Sequence, residues 1–128
     1  MKTYVGTDGK LHFVNSAGAD TALNFSNKGN YASGTVTFST SPTTITLGFK
    51  PKYICVYLSK TANTYNYGIS CYNSDIDPTK VYQYNGSTAV KTLPNTGGAH
   101  NITEITDNGF IFGKVTTSAT YGYYFAIG

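Results

Sequence analysis

TTITLGFKPKYICVYLS, residues 43–59, reads as two strands joined by a short corner. In its second half Ile54, Val56 and Leu58 take one side of a period-two pattern and Tyr53, Cys55 and Tyr57 the other. Successive side chains of a strand point to opposite faces, so this one offers apolar or aromatic groups to both. Such a strand belongs in the middle of a sheet. In the first half Thr43, Ile45 and Leu47 alternate with Thr44 and Thr46, the pattern of a half-buried strand with one wet face. Gly48-Phe49-Lys50-Pro51 turns the chain between the two, because glycine reaches backbone angles closed to other residues and proline keeps the residue before it extended.

Outward from this stretch the same alternation recurs. Short strands are expected at residues 32–40, 65–72, 80–84, 87–93, 102–106, 110–115 and 121–127, separated by Ser-Pro, Asp-Pro, Asn-Gly and Asp-Asn-Gly turn signals. Within them Val81 opposes Tyr82 and Tyr84, and Phe110 and Phe112 oppose Ile111 and Val115. Ahead of them residues 2–25 form a self-contained β unit with an Asp8-Gly9 turn, and the small polar residues 26–30 read as a linker. No stretch carries helical periodicity. The fold class is therefore all-β: an antiparallel β-sandwich of about seven or eight strands over residues 31–128, preceded by a small N-terminal β-hairpin unit and linker over residues 1–30.

The composition agrees with that reading and excludes several functions. The 128 residues include 12 Tyr and 14 Gly, and only 12% are charged. All nine basic residues are Lys, so the formal charge of +3 lacks the forked guanidinium of nucleic-acid readers, and the lysines are scattered from Lys2 to Lys114 with no basic stripe. No nucleic-acid partner is expected. Nor is membrane insertion, since no segment approaches the ~20 apolar residues of a spanning helix. Cys55 and Cys71 can pair in an oxidising compartment or remain thiols; the apolar setting of Cys55 favours a free, buried thiol.

Chemistry is sparse. The six carboxylates are Asp8, Asp20, Asp75, Asp77, Glu104 and Asp107, and of these Asp8 and Asp107 sit in glycine turns where a side chain caps backbone groups. Glu104 with Asp75 or Asp77 is the one pair to consider for glycoside hydrolysis. His12 and His100 show no metal-binding spacing, and Asp75-x-Asp77 lacks the remainder of a calcium loop. There is no nucleophile elbow and no glycine-rich phosphate loop. No catalytic residue, metal or cofactor is assigned, and the chain is read as a non-enzyme.

Three segments carry a resemblance: TITLGFKPKYICVY at residues 44–57, ITDNGFIF at 105–112 and YYFAIG at 123–128. Together they resemble C-terminal modules of bacteriophage or prophage tail-fibre and baseplate proteins, and YVGTDGKLHFVNSAGADTALNF at residues 4–25 is similar to a segment of phage tail proteins. The order of strand, F-x-P, apolar strand, NGF hairpin and aromatic last strand is also similar to the H-type lectins, trimeric sandwiches that bind sugars between protomers. The absence of Trp and Arg departs from the sugar sites of those lectins. The resemblance implies a homotrimer in the virion tail, or in the bacterial cytoplasm before assembly of a prophage-encoded particle. Its implied partners are other tail proteins and a glycan or protein of the host cell surface.

Tyrosine is the feature most in need of a role. Tyr53, Tyr57, Tyr121 and Tyr123, on strands apolar on both faces, are read as packing or as the oligomer interface. Tyr65, Tyr67, Tyr72, Tyr82 and Tyr84, with Asn73, Asp75 and Asn85 nearby to supply hydrogen bonds, are read as the ligand-binding set. Host-surface attachment is the expected function. The alternative is a structural tail or baseplate protein that mediates subunit assembly and binds no ligand.

Overall fold

The computed structural model describes residues 1–22, 30–61, 67–115 and 121–128. Among them are twelve strands and no helix: β1 (Lys2–Val5), β2 (Leu11–Val14), β3 (Asp20–Ala22), β4 (Tyr31–Thr37), β5 (Thr43–Thr46), β6 (Tyr53–Ser59), β7 (Gly68–Asn73), β8 (Lys80–Tyr84), β9 (Thr88–Thr92), β10 (Ile102–Thr106), β11 (Gly109–Phe112) and β12 (Tyr121–Ile127). They form three antiparallel sheets, ordered β1-β2-β3, β10-β11-β5 and β4-β12-β6-β7-β8-β9. The fold is all-β and sandwich-like. Its main part holds nine strands where the sequence suggests seven or eight. Of the expected linker, residues 26–30, only Asn30 lies among the described residues.

The corner at residues 48–51 does more than join neighbours. Gly48, at φ 82°, ends β5 in the three-stranded sheet, and after buried Pro51 the chain re-emerges as β6 in the six-stranded one. The corner is pinned on both sides: Leu47 N and Gly48 N donate to Asn108 O at 2.6 and 3.0 Å, and Lys52 N donates to Ile127 O at 2.8 Å. The two halves of the opening stretch thus face each other across the core instead of pairing edge to edge. β6 is central, flanked by β12 and β7.

The core lies between these two sheets. Ile54, Val56 and Leu58 of β6, Val81 of β8 and Ala126 of β12 meet Ile45, Ile102, Phe110 and Phe112 from the smaller sheet. The Phe38 and Phe112 rings stack at 4.3 Å between centroids. Gly122 makes room for this, because a Cβ there would run into the Phe38 ring. Ser70, though polar, faces inward and is fully buried; its Oγ accepts from Ile102 N at 3.0 Å and ties the sheets together. Val115 departs from its expected face as well: the chain leaves the strand after Phe112, and Val115 turns back into the core at 3% exposure.

Several turns are as their glycines suggest. Asn85-Gly86-Ser87 reverses the chain from β8 to β9 as a three-residue loop, with Gly86 at φ 76°, one residue longer than the tightest hairpin. Asp107 and Asn108 link β10 and β11, whose register pairs Thr106 with Gly109. β12 pairs along its length with both β4 and β6, and Gly128 N donates to Asn30 O at 2.9 Å.

Candidate functional site

Which residues reach the outer face of the six-stranded sheet follows from its register. Tyr31, Ile127, Tyr53 and Asn73 lie in one row; Ser33, Phe125, Cys55, Cys71, Tyr82 and Val90 in the next; Thr35, Tyr123, Tyr57, Ile69, Tyr84 and Thr88 in a third; Thr37, Tyr121 and Ser59 in a fourth. None of these side chains is charged. Lys80, whose Nζ donates to Thr92 Oγ1 at 2.7 Å, stands at the margin. The Tyr53 and Phe125 rings meet at 5.5 Å. Tyr31 is 63% exposed, Tyr84 56%, Val90 53% and Ile127 44%, so aromatic and aliphatic side chains stand exposed on this face.

That face gathers six of the tyrosines singled out in the sequence. Tyr53, Tyr57, Tyr121 and Tyr123 share it with Tyr82 and Tyr84, so residues assigned to two different roles form one continuous surface. Sequence periodicity puts residues on a face of their own strand; only the register across five strand pairs shows that those faces coincide.

The remaining ligand candidates do not join them as a group. Tyr65 lies outside the described residues. Tyr67 turns toward the core, its ring 5.8 Å from that of His100 and 5.4 Å from Lys60 Nζ. Tyr72 is 3% exposed and packs in the core, which corrects the expectation of an exposed side chain: β7 is phased so that Gly68, Ser70 and Tyr72 point inward. Asn73 is on the outer face, but its Oδ1 accepts from Asp75 N at 3.0 Å and shapes the following turn. Asp75 is exposed in that turn, and Asn85 sits in the β8–β9 loop.

A concavity opens where the corner, the β7–β8 turn and the β9–β10 connection converge. It encloses about 570 Å³ and is lined by Lys50, Pro51, Lys52, Tyr72, Ser74, Pro78, Leu93, Pro94, Glu104 and Ile105. Its floor is apolar, with two ammonium groups and one carboxylate at the rim. The volume falls within the range of small-molecule sites. Four separated segments build it, so no local motif announces it. The β7–β8 turn beside it is held by Asp77, whose Oδ1 accepts from Thr79 N at 2.8 Å and Thr79 Oγ1 at 2.6 Å; these bonds lower the Asp77 pKa. With that oxygen occupied, Asp77 serves the turn. Among the described residues no group of three or more His, Cys, Asp or Glu side chains is placed to hold a metal ion.

The sequence offered no hint of one ionic cluster. His12 on β2 lies between two carboxylates, Nδ1 at 2.8 Å from Asp20 Oδ1 and Nε2 at 3.0 Å from both oxygens of Asp8. The Tyr4 ring stacks on it at 4.8 Å, and the Tyr4 hydroxyl donates to Asp20. Asp8 also caps its own turn by accepting from Lys10 N at 3.0 Å, as the Asp-Gly pair suggests, whereas Asp107 is exposed and 3.9 Å from Lys50 Nζ. The His12 pKa is raised by Asp8 and then Asp20; that of Asp8 is lowered by the Lys10 amide and then His12, and that of Asp20 by Tyr4 and then His12. Comparison of the chain with protein-family models, with curated proteins and with solved structures gives no match.

Proposed function

We propose that the chain is a non-enzymatic attachment module of a phage tail that assembles as a homotrimer and engages a glycan or protein of the host surface. The observation that carries this reading is the uncharged aromatic outer face of the six-stranded sheet. A contiguous apolar surface larger than a few hundred Å² marks an interaction site on a soluble protein. Tyrosine suits it, offering a rigid ring for stacking and a hydroxyl for hydrogen bonding at little entropic cost. The chain carries +3 overall, yet no like charge on this face opposes the approach of a second copy. Copies held together would also raise the avidity of individually weak sites. The tail setting itself rests on the sequence resemblance.

The test pairs solution mass with binding. Light scattering is expected to give three times the chain mass of 13.7 kDa. Labelled protein is expected to bind some members of a panel of bacterial cells and purified surface glycans. Tyr82→Ala with Tyr84→Ala should weaken that binding by about tenfold or more, on the order of 1.4 kcal/mol, without altering the circular dichroism. Assembled protein that binds no member of a broad panel would overturn attachment.

One observation favours the assembly reading as the alternative. Tyr82 and Tyr84 share their face with Tyr53, Tyr57, Tyr121 and Tyr123, so a subunit contact spanning the sheet would bury both sets. A trimer without ligand binding is the outcome that reading expects.

A further inference from the structure

The two cysteines have no part in the attachment reading, and the strand register brings them together. Cys55 and Cys71 are direct partners across β6 and β7, with their sulfurs 2.9 Å apart. The phase of the ladder fixes how they face each other. Ser74 N donates to Lys52 O at 2.8 Å, which makes Lys52 and Ser74 a hydrogen-bonded pair. Stepping two residues at a time, Ile54 and Tyr72 are the next such pair. Cys55 and Cys71 therefore occupy the non-hydrogen-bonded position between them, where facing Cα atoms lie about 4.5 Å apart and side chains are closest. Disulfides span Cα separations of about 4.4 to 6.8 Å, so these strands already hold a bonding distance.

The surroundings divide the labour between the two sulfurs. Cys55 is 3% exposed, enclosed by the central strands, whereas Cys71 is partly exposed in a shallow groove shared with Ile69, Tyr82 and Tyr84. Either thiol can donate to the other across this contact, so the pair loses its first proton more readily than a free thiol and its second less readily. The pair thus gives up one proton near neutrality and shares the other.

We propose that Cys55 and Cys71 are a reversible cross-strand thiol-disulfide couple that exchanges with small disulfides of the glutathione type. The shared proton passes to Cys55, leaving a thiolate on Cys71 at the surface. That thiolate attacks one sulfur of oxidised glutathione; the S–S bond of glutathione breaks, one glutathione leaves as thiolate, and a mixed disulfide forms on Cys71. Cys55 then loses its proton and attacks Cys71 Sγ, expelling the second glutathione. The protein gives up two protons and two electrons, and one oxidised glutathione becomes two reduced ones. A trimer covering the aromatic face would shield the groove, so exchange belongs to the unassembled chain. The couple rests on the strand register, the sulfur–sulfur distance and the unequal burial of the two thiols, and stands or falls apart from attachment.

The experiment treats reduced, dilute, folded protein with excess oxidised glutathione at mildly alkaline pH. Both thiols should disappear from titration with an aromatic disulfide reagent, the intact mass should fall by two hydrogens, and dithiothreitol should restore both. Cleavage after Lys52, Lys60 and Lys80 separates the cysteines, so the bond appears as peptide 53–60 linked to peptide 61–80. Cys55→Ser should stop at one glutathionyl group on Cys71, and Cys71→Ser should resist modification. Two thiols still titratable after treatment of the native protein, or two glutathionyl adducts with no linked peptide, would overturn the proposal. Equal reactivity of the two variants would do the same for the assigned order of attack.

Discussion

Ser70 shows how a single hydroxyl can organise a sandwich. It faces the core from β7, and its Oγ is the acceptor for the buried Ile102 amide of the opposing sheet. Ser70→Ala keeps the volume nearly unchanged but leaves that N–H without a partner. A buried donor stripped of its acceptor costs about 1–3 kcal/mol. Urea unfolding of the variant should show a loss of that size with an unchanged denaturant slope, and an unaltered midpoint would show that the bond contributes nothing. Nothing in the local sequence reveals this role. In the run of residues 65–70 the polar and small residues alternate with larger ones, which ordinarily places the small set in water. Here Ser70 faces β10 and accepts its Ile102 amide, a Cβ at Gly68 would press on the Tyr84 carbonyl, and Ile69 and Cys71 are turned out onto the aromatic face. Tyr72 follows the same phase inward.

The N-terminal sheet is held by different means. Among the described residues its three strands pair only with each other, and their side chains are exposed or half-buried. A sheet with so little core leans on polar contacts, and the His12 cluster supplies them. His12 is raised above its ordinary 6.5, so its contribution is complete below that value and fades as pH rises through the folded pKa. Asp8 and Asp20 are lowered from 3.8, so theirs is present above that value and lost as pH falls through their folded pKa values. β1, β2 and β3 should be best protected between those limits, at about pH 4 to 6.5, with the Tyr4 ring stacked on the imidazole. Amide protection factors across pH should peak in that window, and NMR should find His12 titrating above 6.5 with a lower value in Asp8→Asn and in Asp20→Asn. A histidine that titrates at or below 6.5 would dissolve the cluster's role. The hairpin itself was legible from Asp8-Gly9. The cluster was not, because Asp20 reaches His12 only after β3 folds back on β2.

Across the whole molecule, the strands were more legible than their partners. Alternation found the main strands and the central place of β6, since these depend on neighbours within a few residues. Assignment to sheets depends on contacts far apart in sequence. β5 and β6 look like one hairpin but belong to opposite layers, and β12 arrives from the far end of the chain to sit between β4 and β6. The candidate surface was legible only as a set of tyrosines, because register alone made them neighbours. The same late arrival brings Gly128 N to Asn30 O and Ile127 opposite Tyr31. A permuted chain that joins residue 128 to residue 30 through a few glycines and opens at Asn85-Gly86 should therefore fold to the same nine-stranded body. Circular dichroism and cooperative thermal unfolding would check it, and loss of cooperativity would count against the division at residue 30. Where the body begins and where it ends, the backbone stands on adjacent strands, about 4.8 Å apart. Entry and exit on a single rim make the sandwich a graftable cassette: a surface loop of an unrelated scaffold could carry it without its anchoring ends being pried apart.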